Sequence, residues 1–216
     1  MVSFEIRDNV VTKYMGDDSS FIIPNSYVID GIDTKVTTIK DAMFKCCRSI
    51  ENIEIAEGIE TIEKEAFSSC GNLIKVVLPS TIEKIGKLAF YGCSNLSTIM
   101  IPNKVTTIEE RTFSYCQKLK TIKFKAASLL KQINASAFRY CDALKEITLP
   151  KKLETIGEFA FAECEKLVKV VIPSSVTKIA SNAFDKSNNV VIYTNKDSYA
   201  EEYAIKKNIK YVIMIE

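Results

Sequence analysis

Hydrophobic and polar positions along this chain repeat on two scales, one of about 23 residues and one of two. The longer scale is set by Phe44, Phe67, Phe90, Phe113, Phe138, Phe161 and Phe184, which stand 23, 23, 23, 25, 23 and 23 residues apart. Self-similarity at a period of this size marks a stacked-repeat architecture. Three positions after six of these phenylalanines comes a cysteine, at Cys47, Cys70, Cys93, Cys116, Cys141 and Cys164, and Ser187 takes the seventh place. An aliphatic residue follows three further on, at Ile50, Leu73, Leu96, Leu119, Leu144, Leu167 and Val190. Next come Ile53, Val76, Ile99, Ile122, Ile147 and Val170, and two later Ile55, Leu78, Ile101, Phe124, Leu149 and Ile172. Four units continue with proline, at Pro79, Pro102, Pro150 and Pro173.

The segment L-x-x-I-x-L ends in strict alternation, which predicts a strand with one buried face. The proline behind it removes a ladder donor and ends the pairing. If each repeat makes one coil, equivalent strands lie side by side in a parallel sheet at about 4.8 Å and every apolar column stacks on itself. No single repeat buries its own Phe and Leu, so stability is shared between neighbours. The second half of the unit, as in Thr81 to Tyr91 (TIEKIGKLAFY), is too short for a long helix that also carries the chain back. It predicts an extended piece at Ile82 to Ile85 and a helical turn around Lys87 to Phe90.

A solenoid needs covered ends. Residues 1–30 predict short strands at Phe4 to Ile6, Val10 to Tyr14 and Phe21 to Ile23, with Met15-Gly16-Asp17-Asp18 as a turn. They form an N-terminal β cap, followed by seven repeats over 31–193 and a C-terminal cap over 194–216, all one structural domain. In that last segment Ser198-Tyr-Ala-Glu201 reads as a capping box. It predicts a helix over 198–207, stopped at Asn208, and a strand over 211–215.

Written once, the unit is C-x-x-L-x-x-I-x-L-P-x-x-[VIL]-x-x-I-x-x-x-A-F-x-x, and it resembles the leucine-rich repeats of the BspA-like subclass from Pro24 to the C-terminus. The S-Y-A-x-x-Y-A tail is similar to endings common in that family. The resemblance implies an α/β fold: a curved right-handed leucine-rich-repeat solenoid with its parallel sheet on the concave face and short strands and helical turns on the return side. It also implies a surface or secreted protein of a bacterium or protozoan parasite. Met1 to Val11 lacks the apolar run of a secretory signal, so a cytoplasmic location is the alternative.

Composition narrows the chemistry. The 216 residues are 47% hydrophobic and 26% charged, as in ordinary globular proteins. A formal charge of +2 arises from 29 basic and 27 acidic residues interspersed along the chain, so no field of one sign is expected and nucleic acid is a poor candidate partner. No stretch has the roughly 18 to 20 apolar residues of a membrane-spanning helix. Histidine, the commonest general base and metal ligand, is absent. The seven glycines never form G-x-G. Carboxylate pairs such as Glu109-Glu110 and Asp17-Asp18 fall in returns or turns and read as solvated. No enzyme, cofactor or metal is predicted.

Seven cysteines admit three readings: disulfides, zinc ligands or buried thiols. Six occupy one slot in successive coils, which forms an inward ladder of parallel side chains, too far apart at Cβ for the preferred disulfide geometry. No C-x-x-C pair supports zinc. Reduced thiols acting as small hydrophobes are therefore expected, with Cys46 outside the register and partly exposed.

Binding has more support. In each L-x-x-I-x-L the residues flanking the middle apolar position point outward. The first column is Asn52, Lys75, Thr98, Thr121, Glu146 and Lys169; the second is Glu54, Val77, Met100, Lys123, Thr148 and Val171. They predict one strip that binds a protein partner, with the chain a monomer. Val77 and Met100, apolar and outward among charges, stand out, although β-branched residues also suit a strand's solvent face. Lys125 to Lys131, where the unit loses its proline and gains two residues, is a second candidate, drift being the plainer explanation. The alternative to a binding or adhesion module is a structural surface-coat protein without a discrete site.

Overall fold

The computed structural model describes residues 4–7, 10–14, 16–29 and 31–214. The chain winds into a parallel β-solenoid of about eight turns with little helix. One row of strands runs the length of the molecule: Ser20–Ile23, Asn52–Ile55, Lys75–Val77, Thr98–Ile101, Thr121–Phe124, Glu146–Thr148, Lys169–Val171, Val191–Thr194 and Lys210–Ile213. The strands from Asn52–Ile55 to Lys169–Val171 form where the alternation predicted them, and every strand of the row from Ser20–Ile23 to Val191–Thr194 turns alternate residues inward, whereas Lys210–Ile213 at the end of the row leaves Tyr211 and Val212 exposed. The chain leaves four of these strands at a proline whose carbonyl accepts from the residue three ahead, as Pro79 does from Ile82 at 3.4 Å and Pro150 from Leu153 at 3.0 Å. Proline thus stops the ladder and opens the turn at once.

The row is hydrogen-bonded as two sheets. One runs in order from Ser20–Ile23 to Thr121–Phe124, and the other begins at Glu146–Thr148 and ends at Lys210–Ile213. The two meet side by side at the unit that carries the two extra residues. A second row of two-residue strands, among them Thr61–Ile62, Lys84–Ile85, Gln132–Ile133 and Thr155–Ile156, lies on the return side.

The return differs from the expected helical turn. Leu88, Phe90 and Gly92 donate their N–H groups to the carbonyls of Glu110, Thr112 and Ser114 in the next coil, while Ala89, Tyr91 and Cys93 donate to residues three back. Half of the donors are thus shared between coils, which no α-helix permits. To aim them so, the backbone enters the left-handed region twice per coil, as at Leu88 (φ 61°) and Gly92 (φ 69°), or Arg111 (φ 55°) and Tyr115 (φ 62°). Side chains other than glycine tolerate this only where the surroundings enforce it.

The core is one continuous column from Phe4 to Ala204. Phe44 to Phe184 stack with ring centroids 4.9 to 5.5 Å apart and planes within 15°. Across the 25-residue unit the Phe113 and Phe138 rings remain parallel at 5.5 Å, so the two extra residues are absorbed at the surface. At one end Phe44 meets Phe4, Tyr14 and Phe21; at the other Phe184 meets Tyr203.

The cysteine column does more than fill space. Cys70, Cys93, Cys116, Cys141 and Cys164 are buried and free, and each Sγ donates to the carbonyl of the phenylalanine one coil back, at 2.9 to 3.4 Å. Ser187 makes the same bond to Phe161 at 2.7 Å. A short donor is what this slot selects: the carbonyls of Phe44, Phe67, Phe90, Phe113 and Phe138 already accept the N–H of the cysteine three residues on, and the thiol from the next coil reaches the remaining lone pair. Cys46 is exposed and Cys47 half-buried.

Toward the N-terminus Phe4–Arg7 and Val10–Tyr14 form an antiparallel hairpin. Ser26–Ile29 and Ile32–Lys35 form a second one, unforeseen in the alternation although Asp30-Gly31 is a strong hairpin signal. The helix Tyr199–Lys207 starts at Ser198, whose hydroxyl accepts from the Glu201 N–H, and stops at left-handed Asn208. The reciprocal half of the capping box is displaced by one residue, since Glu201 accepts from Asp197 rather than from Ser198. The final strand is Lys210–Ile213; Met15 and Ile215, included in the expected turn and strand, fall outside the described residues.

Candidate functional site

The strand row holds both predicted columns in register. Asn52 pairs with Lys75, Lys75 with Thr98, and Thr98 with Thr121; after the junction Glu146 pairs with Lys169. In the second column Glu54 pairs with Val77, Met100 with Lys123, and Thr148 with Val171. The register that joins Lys75 to Thr98 sets Val77 level with Met100. Glu54, Lys75, Thr98, Lys123, Glu146 and Thr148 are exposed, and Asn52, Thr121, Lys169 and Val171 are half-buried. Val77 and Met100 expose 41% and 38% of their surface. The structure thus brings all twelve residues of the two columns alongside one another in two runs, separated only where the sheets change over between Thr121–Phe124 and Glu146–Thr148.

The strip also extends past the columns read from the sequence. Ser20 and Ile22 stand beside Asn52 and Glu54, and Val191 and Tyr193 beside Lys169 and Val171. A third outward position lies just before each strand, where Glu51, Ile74, Lys120, Lys145 and Val168 are exposed. These residues were legible in the repeat alignment, but the L-x-x-I spacing puts them next to a buried leucine and does not say that they clear the surface.

Over the junction the strand face forms an open depression of about 1440 Å³. Its lining includes Thr121, Thr148 and the half-buried Phe124, whose counterparts Ile55, Ile101, Leu149 and Ile172 are buried while Leu78 is half-buried as well. The extra residues supply one wall through Lys125, Ala127 and Ser128. The second candidate segment, Lys125 to Lys131, therefore adjoins the first. Among the described residues no three thiols or carboxylates converge as a metal ion requires.

The return side handles its charges differently. Lys87 meets Glu110 at 2.7 Å, Lys131 meets Glu154 at 3.2 Å, and Glu163 takes Arg139 at 3.0 Å and Lys186 at 3.2 Å. The Tyr140 hydroxyl also donates to Glu163 at 3.0 Å. These hydrogen bonds, that of Arg139 foremost, hold the Glu163 carboxyl below its ordinary range. Burial pushes the thiols of Cys70, Cys93, Cys116 and Cys141 up, and that of Cys164 to about 12. None of them is a nucleophile at neutral pH.

Comparison with known proteins agrees with the architecture. A leucine-rich repeat protein of T. pallidum superposes with a TM-score of 0.77 at 21% identity, over 100% of this chain and 97% of that one. A leucine-rich repeat protein of Bacteroides capillosus superposes with a TM-score of 0.52 at 26% identity, over 58% of this chain and 94% of that one. These likenesses concern the fold. No curated protein matches in sequence. The family model described as the BspA type leucine rich repeat region matches in six copies, over residues 29–142 and 131–214. With nearly the whole repeat array accounted for, the chain belongs to the BspA-type leucine-rich repeat family.

Proposed function

We propose that this chain is a non-catalytic protein-binding or adhesion module whose ligand surface is the outward strand strip, the concave face of a right-handed solenoid. The single observation that carries this reading is the strip itself: side chains of successive coils stand in register, with Val77 and Met100 exposed between charged neighbours. A charged rim around an apolar centre is the composition of interfaces. The family is in general a non-enzymatic repeat scaffold, and the chemistry of the described residues agrees with that role. The N-terminal hairpins and the C-terminal helix act as end covers for the seven repeats, and the module works as a monomer. Family membership supports placement at a cell surface; among the described residues no helix is long and apolar enough to cross a membrane.

The test is a paired substitution. Val77→Asp with Met100→Asp abolishes capture of the protein partner in a pull-down while leaving the melting temperature nearly unchanged, because both side chains are outward. Undiminished capture by the double variant places the ligand surface elsewhere.

A further inference from the structure

We propose that the depression over the sheet junction takes an extended acidic polypeptide segment, with apolar side chains interspersed among its carboxylates. This rests on the reading of the strip as a ligand surface and specifies the partner. Eight lysines line the depression against one carboxylate, Glu146. Lys120 and Lys145 come from the position before two adjacent strands, Lys123 and Lys169 from strands, and Lys125, Lys151 and Lys152 from the segments behind them; Lys166 completes the far wall. Among the described residues none of the eight enters an ion pair, in contrast to Lys45, Lys87, Lys104, Lys131 and Lys186 elsewhere. Lys169 rests over the Tyr193 ring at 5.0 Å and stands in register with Glu146, yet the near-neutral chain gathers a surplus of positive charge at this place, and clefts of one sign attract their opposite.

The lining selects among polyanions. It contains no arginine, which forks onto phosphates, and one aromatic ring, the half-buried Phe124, too few for the stacking that nucleic acid single strands use. Between the lysines lie aliphatic groups instead: Val168, 48% exposed, lines one end of the depression and Met100 the other, with Ala127 and Ala143 also in the lining. Carboxylates and leucine-like side chains on the same face of an extended segment satisfy both kinds of group. The coils from Met100 to Lys169 span about 15 Å across the strands, the length of roughly five extended residues.

The test measures fluorescence anisotropy of a labelled peptide of about eight residues in alternating pairs, Glu-Glu-Leu-Leu, which puts both types on each face of an extended chain and spans these coils. It is compared with the same peptide carrying glutamine for glutamate, with oligothymidine and with heparin. The glutamate peptide is expected to bind, to weaken as salt rises, and to lose about tenfold in affinity with Lys123→Glu plus Lys145→Glu. Lys87→Glu plus Lys104→Glu, an equal change in net charge on the paired lysines, leaves its binding intact. Equal losses in the two variants, equal binding of the glutamine peptide, or tighter binding of oligothymidine or heparin overturns the proposal. So does self-association that Lys123→Glu plus Lys145→Glu abolishes, which makes the occupant a second copy. If the glutamate peptide fails while Val77→Asp with Met100→Asp still abolishes partner capture, the acidic segment falls and the strip survives; if neither set affects binding, both fall.

Discussion

The return side and the strand face are built from the same repeat, yet they treat charge in opposite ways. On the return, a slot that holds a cation in one coil holds an anion in the next: Lys87 and Glu110 both precede their phenylalanine by three, and Glu163 and Lys186 both follow theirs by two. Stacking turns that alternation into ion pairs along the solenoid axis. On the strand face between Thr121–Phe124 and Lys169–Val171 the sign does not alternate in the same way, as Lys120 and Lys145 share one slot, and stacking concentrates it. In a solenoid the charge order along each column, rather than the composition, decides whether a face is neutral or poised for a partner.

Both faces hang on one aromatic spine, and breaking it has the largest effect. Phe90 is fully buried between Phe67 and Phe113. Phe90→Ala therefore costs on the order of 3 to 5 kcal/mol in denaturant unfolding; a loss under about 1 kcal/mol contradicts the stacked column.

The thiol ladder gives the next effect, and its sign follows from burial. These thiols titrate higher folded than unfolded, so between the unfolded value near 8.5 and the folded one the native state holds more protons. Stability is then complete below about pH 8.5 and falls as pH rises, by about 1.4 kcal/mol per pH unit for each buried thiol. Cys93→Ser, which copies Ser187, keeps the donor and lessens that alkaline slope by one thiol's share. An unchanged slope removes the ladder from the account.

The smallest effect separates the two faces directly. Glu163→Gln deprives Arg139 and Lys186 of their shared partner and lowers the melting temperature at neutral pH. Because the Glu163 carboxyl is held below its ordinary range, the difference from the native chain is present above about pH 4.3 and fades as the pH falls further. Lys145→Gln, at a lysine that enters no ion pair among the described residues, leaves the melting temperature unchanged. A larger drop for Lys145→Gln than for Glu163→Gln reverses the comparison.

Much of this was legible before any coordinates. The phenylalanine period placed the coils, the alternation placed the strands from Asn52–Ile55 to Lys169–Val171, and the residues flanking each middle strand position are exposed, as Val77 and Met100 are, or half-buried, as Asn52, Thr121, Lys169 and Val171 are. The helical turn around Lys87 to Phe90 was misjudged because a run such as KLAF has helical propensity locally, whereas its N–H groups are claimed by the neighbouring coil. Propensity is decided within a few residues, and that claim is made 22 residues away. The cysteine slot likewise looked merely apolar, because the carbonyl that wants a donor belongs to the previous coil.

By itself, the sequence determined which residues face inward and how far apart equivalent ones lie, since those properties follow from spacing along one chain. Only the tertiary structure decided that the ladder changes sheets at the 25-residue unit, that Phe124 is left partly uncovered there, and that lysines dispersed over nearly fifty positions share one depression. The physical reason is that electrostatic fields and open surface depend on distances through space, which stacking shortens to one strand spacing while the chain separates the same residues by a whole coil.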